Sequence, residues 1–130
     1  MSKTETAHRH DMLIVGGGMV GLTLAVTAAH HGLDVCVVDR EDPAAMVDTP
    51  FDGRASAIAH ASRQLLAASK IWATVAPAAQ PILDIRVSDG ESRLFLHYDH
   101  RDLGNTPLGH MIENREIRRA LFAVAAYQPL

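Results

Sequence analysis

A glycine-rich turn near the start of the chain limits the folds available to this sequence more than any other feature. Residues 16–21 match the pattern G-x-G-x-x-G. A short apolar run, Asp11 to Val15, precedes the turn, and a second apolar stretch, Met19 to His31, follows it. This order predicts a buried strand, a tight turn and a helix that ends at Gly32.

A second strand is predicted shortly after this helix. Residues Val35 to Val38 are apolar and mostly β-branched, and Asp39 follows them directly. Strand, helix and strand together occupy about 30 residues, which is the size of a βαβ unit with parallel strands. The predicted fold class is therefore α/β, with an incomplete Rossmann-like βαβ unit at the N-terminal end.

The predicted unit is suited to binding a dinucleotide. Gly16 permits a sharp turn out of the strand, Gly18 lets the backbone approach a pyrophosphate, and Gly21 lets the helix pack close to the strand. Free N–H groups and the positive end of the helix dipole then face the phosphates. A carboxylate at Asp39 can accept hydrogen bonds from both ribose hydroxyls, which argues against a 2′-phosphate there. These residues predict FAD or NAD and do not choose between them.

The same segment permits two other interpretations. Residues 12–29 carry no charge, and Gly17 and Gly21 form a GxxxG pair of the kind found between membrane helices. The basic residues before the segment and its small residues near Ala28 are also typical of a signal peptide. Consecutive glycines cost a helix about 1 kcal/mol each. Because a strand pattern follows at the distance of a nucleotide fold, we favour the dinucleotide site.

Between the second strand and residue 70, the sequence predicts a loop followed by a helix. Residues 40–53 contain two prolines and a glycine, and we expect them to form the loop. Apolar residues near one face then predict a helix over residues 56–69. At the other end of the chain, residues 1–10 are polar and lack periodicity, so we expect a disordered tail there.

The second half of the chain predicts a β-hairpin and a final helix. The hairpin spans residues 82–98, where apolar and polar residues alternate on both sides of Asp89-Gly90. Asn114 is a suitable N-cap for a helix that reaches about Ala126. One face of this helix is apolar and is expected in the core: Ile117, Ala120, Leu121 and Val124. The aspartates of this half are expected at the surface: Asp84, Asp89, Asp99 and Asp102.

The composition argues against several other functions. A formal net charge of −3 gives no general attraction to nucleic acid or anionic lipid. Cys36 is the single cysteine, so the chain cannot form an internal disulfide. The eight histidines form no HExxH pattern and no zinc-type spacing with cysteine, and no metal site is predicted. No nucleophile–base arrangement can be argued from spacing, so no catalytic residue is assigned.

Three segments taken together resemble class A flavoprotein monooxygenases, and in particular the hydroxylases of ubiquinone biosynthesis. The first segment is the glycine-turn unit, residues 11–40. The second comprises residues 51–59 and 62–66, which read FDGRASAIA and SRQLL. The third comprises residues 107–115 and 117–121, which read PLGHMIENR and IRRAL. The second and third segments, in this order, are more specific to the family than the widely shared glycine turn.

This resemblance implies FAD as the cofactor and assigns roles to individual residues. The glycine turn would hold the FAD pyrophosphate and Asp39 the adenosine ribose, with Arg40 beside the adenine end. Arg54 would approach the flavin side. Arg115 would reach the ribityl–pyrophosphate region, where a guanidinium can bind a diphosphate at two points. A basic residue at a helix start opposes the helix dipole, and such local conflicts are typical of functional sites.

The resemblance also implies an activity for the whole protein. NADPH would reduce FAD, and O₂ would be used to hydroxylate the aromatic ring of a ubiquinone precursor. We expect a cytoplasmic protein, with peripheral contact to the inner membrane face or to a biosynthetic complex. Residues 11–130 would form the N-terminal part of the FAD-binding domain, and the hairpin would begin the substrate region. The later cofactor-binding segments of the family have no counterpart here, so the isolated chain is expected to be incomplete and marginally stable.

Two alternatives to this activity stay open. The first is an NAD-dependent dehydrogenase domain, which the glycine turn and Asp39 would serve equally well. The second is a truncated, non-catalytic nucleotide-binding fragment. Flavin absorbance of the purified protein would reject the first alternative. The coding DNA beyond Leu130 would decide the second.

Overall fold

The computed structural model describes residues 9–47 and 50–126, so nearly all of the predicted tail lies outside the described residues. The fold is mixed α/β, and the strands of the described part form three small sheets. The elements follow in this order: β1 (Met12–Val15), α1 (Met19–His30), β2 (Val35–Val38), α2 (Pro43–Val47), β3 (Ala55–Ala59), α3 (His60–Ala68), α4 (Trp72–Val75), β4 (Gln80–Ile82), β5 (Asp84–Ser88), β6 (Phe95–Asp99), β7 (Gly109–Glu113) and α5 (Asn114–Ala126).

The N-terminal strand–helix–strand unit forms as the sequence predicts. β1 and β2 pair in parallel, with Met12 opposite Val35. α1 connects them and stops at Gly32, whose φ of +85° is a left-handed conformation that suits glycine. The next N–H group, that of Leu33, donates to the oxygen of Ala28 at 3.2 Å and so satisfies one of the last helix carbonyls.

The membrane-helix interpretation of residues 12–29 is wrong, because a strand, a turn and a short helix share that segment. α1 has 12 residues. Across the described ranges, 9–47 and 50–126, no helix has the length and apolar character that a bilayer crossing requires.

The second sheet was not predicted. β7 is its central strand and pairs antiparallel with β3 on one side and β4 on the other. The predicted helix over residues 56–69 therefore begins too early, because residues 55–59 form β3 and α3 begins at His60. Gly109 makes the pairing possible, since a Cβ there would lie 2.7 Å from the oxygen of Ile58.

The predicted loop over residues 40–53 contains a helix, which is a second difference. The five-residue α2 begins at Pro43, a residue well suited to the first helical position. Asp42 precedes it, and its Oδ1 accepts a hydrogen bond from the N–H of Ala44 at 2.8 Å. The cap and the proline thus explain locally why a short helix forms there.

The predicted hairpin and final helix are both present. β5 and β6 pair antiparallel, although the hairpin begins at Asp84 because residues 80–82 pair with β7 instead. At the hairpin turn the N–H of Ser92 donates to the oxygen of Asp89 at 3.0 Å, and Gly90 has a φ of +51°. α5 spans Asn114–Ala126, so Asn114, which was predicted as the N-cap, is instead its first residue, and its Oδ1 accepts a hydrogen bond from Ser56.

The core lies where the helices pack against β7. Its buried residues come from α1, α3, α4, α5, β7 and the segment between α3 and α4: Leu22, Val26, Leu66, Ile71, Val75, Ile112, Ile117, Ala120 and Leu121. Val124, the fourth residue of the predicted apolar face, packs against this core. β1 is less buried than the sequence predicts, because Ile14 is buried but the outward face is uncovered, with Leu13 65% and Val15 84% exposed.

Helices α1 and α5 pack against each other. Residues from both helices, including Ala29 and Ala125, line a common groove of about 530 Å³.

Candidate functional site

The glycine turn has the backbone geometry that a phosphate-binding turn requires. Gly16 leaves β1 with a φ of +108°, outside the range that residues with side chains adopt comfortably. A Cβ on Gly21 would lie 1.9 Å from the oxygen of Gly16, so only glycine allows the helix to pack this close to the strand end. The predicted packing role of Gly21 thus has a direct structural basis.

Gly18 faces open space at the start of α1. It is the N-cap of α1, and a Cβ added to it would meet no protein atom within 4 Å. No side chain caps the helix, and its first turn contains no acidic residue. The N–H groups at the start of α1 are therefore available to an anion. The turn fits a dinucleotide pyrophosphate.

Asp39 contacts the glycine turn directly, which the sequence did not predict. The N–H of Gly17 donates to Asp39 Oδ2 at 2.5 Å, and the N–H of Glu41 donates to Oδ1 at 2.9 Å. These hydrogen bonds, with that from Glu41 the stronger influence, hold the pKa of the Asp39 carboxyl below its ordinary value of 3.8. The side chain is exposed and ionised at neutral pH, and each oxygen keeps a further lone pair for a ligand.

Arg40 follows Asp39 and is exposed. Its positive charge contributes to the lowered pKa of Asp39. Its place beside the adenine end of a dinucleotide stays a prediction from the resemblance.

Arg54 and Arg115 are brought together by the pairing of β3 with β7. The ladder between these strands ends at Ala55 and Glu113. One residue further on, the N–H of Asn114 donates to the oxygen of Arg54 at 3.0 Å. Arg115 comes next in the chain. The two predicted arginines therefore occupy adjacent backbone positions, Arg54 just before β3 and Arg115 in the first turn of α5.

The two arginines differ in how firmly their side chains are held. Arg54 is 77% exposed, and its Nε lies 3.9 Å from Oδ2 of Asp52. Arg115 is 30% exposed, and its Nε donates to Glu113 Oε2 at 2.6 Å and lies 3.5 Å from Glu116 Oε1. These two carboxylates beside Arg115 were not predicted.

An aromatic ring completes the surroundings of Arg115. Its guanidinium carbon lies 5.3 Å from the ring centre of Phe51, within the range of a cation–π contact. Phe51 begins the second segment that carries the family resemblance. The ring thus links the second resemblance segment to the third.

The second and third resemblance segments also meet in a cluster away from the arginine pair. The rings of Trp72 and His110 pack edge to face with centroids 5.0 Å apart, and Arg63 lies 5.1 Å over the Trp72 ring. Burial lowers the pKa of His110, and the charge of Arg63 lowers it further. Trp72 packs against the sheet, as expected of a large apolar side chain.

Carboxylates at the base of the hairpin form the clearest candidate for a metal among the described residues. Ligand atoms of Asp84, His97 and Asp99 lie within 4.8 Å of one another. Asp99, which was predicted at the surface, is buried. Arg101 binds both of its oxygens and holds the pKa of the Asp99 carboxyl far below its usual range. Because Arg101 occupies Asp99, the group is explained as an ion-pair network.

Comparison with known families identifies a match over most of the chain. The family described as FAD dependent oxidoreductase matches residues 11–128. This match favours FAD over NAD as the bound dinucleotide.

The chain is also similar to curated proteins. It is 50% identical over 111 residues to ubiquinone hydroxylase UbiL of Rhodospirillum rubrum, which covers 85% of this chain and 26% of that protein. It is 32% identical over 121 residues to ubiquinone hydroxylase UbiM of Neisseria meningitidis, covering 89% and 26%. It is 36% identical over 121 residues to the 3-demethoxyubiquinol 3-hydroxylase of Escherichia coli, covering 92% and 31%. The chain thus spans between about a quarter and a third of the length of these relatives.

Solved structures with the same fold include two aromatic-ring oxygenases. p-Nitrophenol 4-monooxygenase PnpA of Pseudomonas putida superposes with a TM-score of 0.68 at 21% identity, over 91% of this chain and 29% of that one. A 2-methyl-3-hydroxypyridine-5-carboxylic acid oxygenase superposes with a TM-score of 0.69 at 15% identity, over 95% and 30%. At this level of identity the likeness concerns the fold alone.

Proposed function

The chain is a member of the FAD-dependent oxidoreductase family, and we propose that it forms the N-terminal, FAD-binding part of a flavin-dependent monooxygenase. The whole protein would hydroxylate the aromatic ring of a ubiquinone precursor with NADPH and O₂. Residues 11–130 would belong to an incomplete Rossmann-like FAD-binding domain, and the β5–β6 hairpin would begin the substrate region. The names of the UbiL, UbiM and 3-demethoxyubiquinol 3-hydroxylase relatives support this choice of substrate class.

The observation that carries the proposal is the open glycine turn with its attached carboxylate. The start of α1 offers amide groups that no side chain caps, and the Cβ position of Gly18 faces empty space. Asp39 is tied to the same turn through the N–H of Gly17. A bound pyrophosphate and the neighbouring ribose need this combination of donors and acceptor within one short segment.

We assign the cofactor contacts of this turn as follows. Gly16 and Gly21 would shape the turn, and the backbone at Gly18 would lie against the pyrophosphate. Asp39 would accept hydrogen bonds from the adenosine ribose with the lone pairs that the backbone leaves free. Arg40 would lie beside the adenine end. None of these contacts requires a side chain to move through the protein.

The arginine pair would serve the other part of the cofactor. Arg54 would approach the flavin side, and its 77% exposure leaves the guanidinium free to turn towards a ligand. Arg115 would bind the ribityl–pyrophosphate region, sharing its charge between the phosphate and the Glu113 carboxylate. FAD, when bound, supplies the redox chemistry, and the residues of this chain bind and orient it.

The substrate class named for the relatives suggests a cellular location for the protein. We propose a cytoplasmic protein that contacts the inner membrane face or a biosynthetic complex from outside the bilayer. A substrate with a large apolar part would favour such peripheral contact. Its test is co-sedimentation of the protein with anionic lipid vesicles, in which protein that stays in the supernatant would contradict membrane contact.

The enzyme proposal is tested on the protein expressed from its complete coding sequence. We expect a yellow protein with flavin absorbance, and NADPH oxidation that accelerates when a phenolic quinone precursor is added. Gly18→Ala is the matched control. It adds a methyl group on the ligand side of the turn, so it should weaken FAD binding while the protein still folds. A colourless protein that takes up no FAD would overturn the proposal, whereas a stop codon directly after Leu130 would leave FAD binding and remove catalysis by this chain.

A further inference from the structure

We propose that Ser56 and Asn114 are positioning residues that keep Arg54 and Arg115 in register at the flavin end of the site. This inference rests on the proposed function, because it takes both arginines as cofactor contacts. The observation behind it is a hydrogen bond between the two side chains. The Ser56 hydroxyl donates to Asn114 Oδ1 at 2.6 Å.

The Ser56–Asn114 hydrogen bond lies at the end of the β3–β7 ladder, next to the backbone positions of the two arginines. The regular ladder joins Ala55 to Glu113, and the N–H of Asn114 adds one more backbone bond to the oxygen of Arg54 at 3.0 Å. The Ser56–Asn114 bond is a side-chain bond across the same place. Two segments far apart in the sequence are thus tied by one backbone and one side-chain bond beside the arginine pair.

The position of the Arg54 side chain is determined mainly by its backbone, because its side-chain contacts are weak. The Nε of Arg54 lies 3.9 Å from the Oδ2 of Asp52, and the Arg54 side chain is 77% exposed. Surface ion pairs at such a distance constrain a long side chain weakly. Where the guanidinium can reach therefore depends on where the ends of β3 and α5 hold the backbone.

Arg115 provides an internal comparison. Its guanidinium is held by Glu113 and by the ring of Phe51, independently of Ser56. Loss of the Ser56–Asn114 bond should therefore affect the contribution of Arg54 to FAD binding more than that of Arg115. This asymmetry distinguishes a positioning role from a general loss of folding.

The hydrogen-bonding atoms of Ser56 and Asn114 are engaged with each other. Ser56 and Asn114 are both partly buried. The serine hydroxyl has a single proton to donate, and in this structure the asparagine carbonyl receives it. A direct cofactor contact by the Ser56 proton would require this bond to break, so we assign Ser56 to positioning.

The test measures FAD dissociation constants by flavin fluorescence on apoprotein made from the complete coding sequence. We expect Ser56→Ala to weaken FAD binding by about fivefold, the effect of one lost hydrogen bond. Ser56→Thr keeps the hydroxyl and suits a strand, and it should bind within about twofold of wild type. In the Arg54→Met background the effect of Ser56→Ala should disappear, whereas in the Arg115→Met background it should persist.

The matched control is Ser69→Ala. It removes the hydrogen bonds of another serine hydroxyl away from the arginines, which lies 2.8 Å from the Thr27 hydroxyl and donates to the oxygen of Leu65 at 3.0 Å. We expect a lower Tm and an unchanged FAD dissociation constant. If Ser56→Ala does not fold, Ser56→Cys keeps the volume with a weaker donor and should still weaken FAD binding.

The outcomes separate this inference from the proposed function. If Ser56→Ala, or Ser56→Cys in its place, binds FAD like wild type while Arg54→Met binds weakly, the positioning role is wrong and the proposed function stands. If Arg54→Met and Arg115→Met both bind FAD like wild type, the arginine roles in the proposed function are wrong. If Ser56→Ala weakens binding equally in every background, the bond serves folding alone and the inference fails.

Discussion

The two ends of the candidate site offer different groups to a ligand: mainly backbone groups at the glycine turn, and side chains at the start of α5. At the glycine turn, the ligand side consists of backbone amides and one carboxylate, within a segment that closes on itself through the Gly17–Asp39 hydrogen bond. At the start of α5, the ligand side consists of the guanidinium groups of Arg54 and Arg115. Their placement depends on the pairing of β3 with β7.

This difference determines how each end should respond to change. Apart from Asp39, the glycine-turn end has no side chain to remove, so substitutions of its glycines act by adding atoms that clash with the protein or with the ligand. A side-chain-built end loses its contacts one at a time and is screened by salt where it is exposed. Substitutions at the first end should therefore give the larger effects.

The largest effect is expected from Gly21→Ala. The added Cβ would lie 1.9 Å from the oxygen of Gly16, a backbone atom that cannot move without distorting the turn. We expect a loss of more than about 3 kcal/mol in the free energy of unfolding, at the upper end of overpacking effects. Denaturant unfolding measures it. A stability within about 1 kcal/mol of wild type would contradict the close packing of α1 on β1.

The next largest effect is expected from Gly18→Ala, in which the added methyl group would clash with a ligand and not with the protein. Gly18 has ordinary extended dihedral angles and open space at its Cβ position, so Gly18→Ala should cost less than about 1 kcal/mol of stability. FAD binding should weaken by about tenfold or more, because a methyl group would stand between the backbone and the pyrophosphate. Titration of apoprotein with FAD measures the loss. Unchanged affinity would show that no ligand passes over Gly18.

The glycine-turn end could be predicted from the sequence because its determinants are local. The spacing of the three glycines identifies which one turns the chain, which one leaves room for a ligand and which one allows close helix packing: Gly16, Gly18 and Gly21. The strands on both sides are marked by apolar, β-branched runs. The contact between Asp39 and Gly17 could not be predicted, because it depends on how β2 ends relative to the turn. Spacing placed the carboxylate at the correct strand end and did not specify its hydrogen bonds.

The arginine end was harder to predict because its structure is decided by distant residues. The five residues of β3 are mostly alanine and are compatible with a helix as well as a strand. Only their pairing with residues 109–113 makes them a strand, and that strand was also missed. The carboxylates around Arg115 and the burial of Asp99 by Arg101 likewise result from side-chain contacts, which periodicity does not describe.

A smaller effect is expected from the carboxylate of the glycine-turn end. Hydrogen bonds from the backbone keep the pKa of Asp39 below 3.8 in the folded protein. Its contribution to stability is therefore complete above that value and is lost as the pH falls through the lowered folded pKa. Asp39→Asn should be less stable than wild type at neutral pH, and the difference should shrink as the solution becomes acidic.

Denaturant unfolding over a series of pH values measures this difference. Asp89→Asn is the control, because asparagine suits the hairpin turn in which Asp89 lies. Its stability should follow that of wild type over the same pH series. A gap between Asp39→Asn and wild type that stays constant down to strongly acidic pH would contradict the bond between the carboxylate and the turn.

The smallest predicted effect compares the two ends through their dependence on salt. Arg54 is largely exposed, so its attraction for the cofactor should be screened when salt is raised from about 0.05 M to about 0.5 M. The difference in FAD affinity between wild type and Arg54→Met should shrink by about two- to threefold over this range. The difference between wild type and Gly18→Ala should stay constant, because a steric clash does not depend on ionic strength. FAD titrations of the three proteins at both salt concentrations measure these differences. If both differences shrink equally, the glycine turn binds mainly through long-range charge, and the contrast between a backbone-built and a side-chain-built end is wrong.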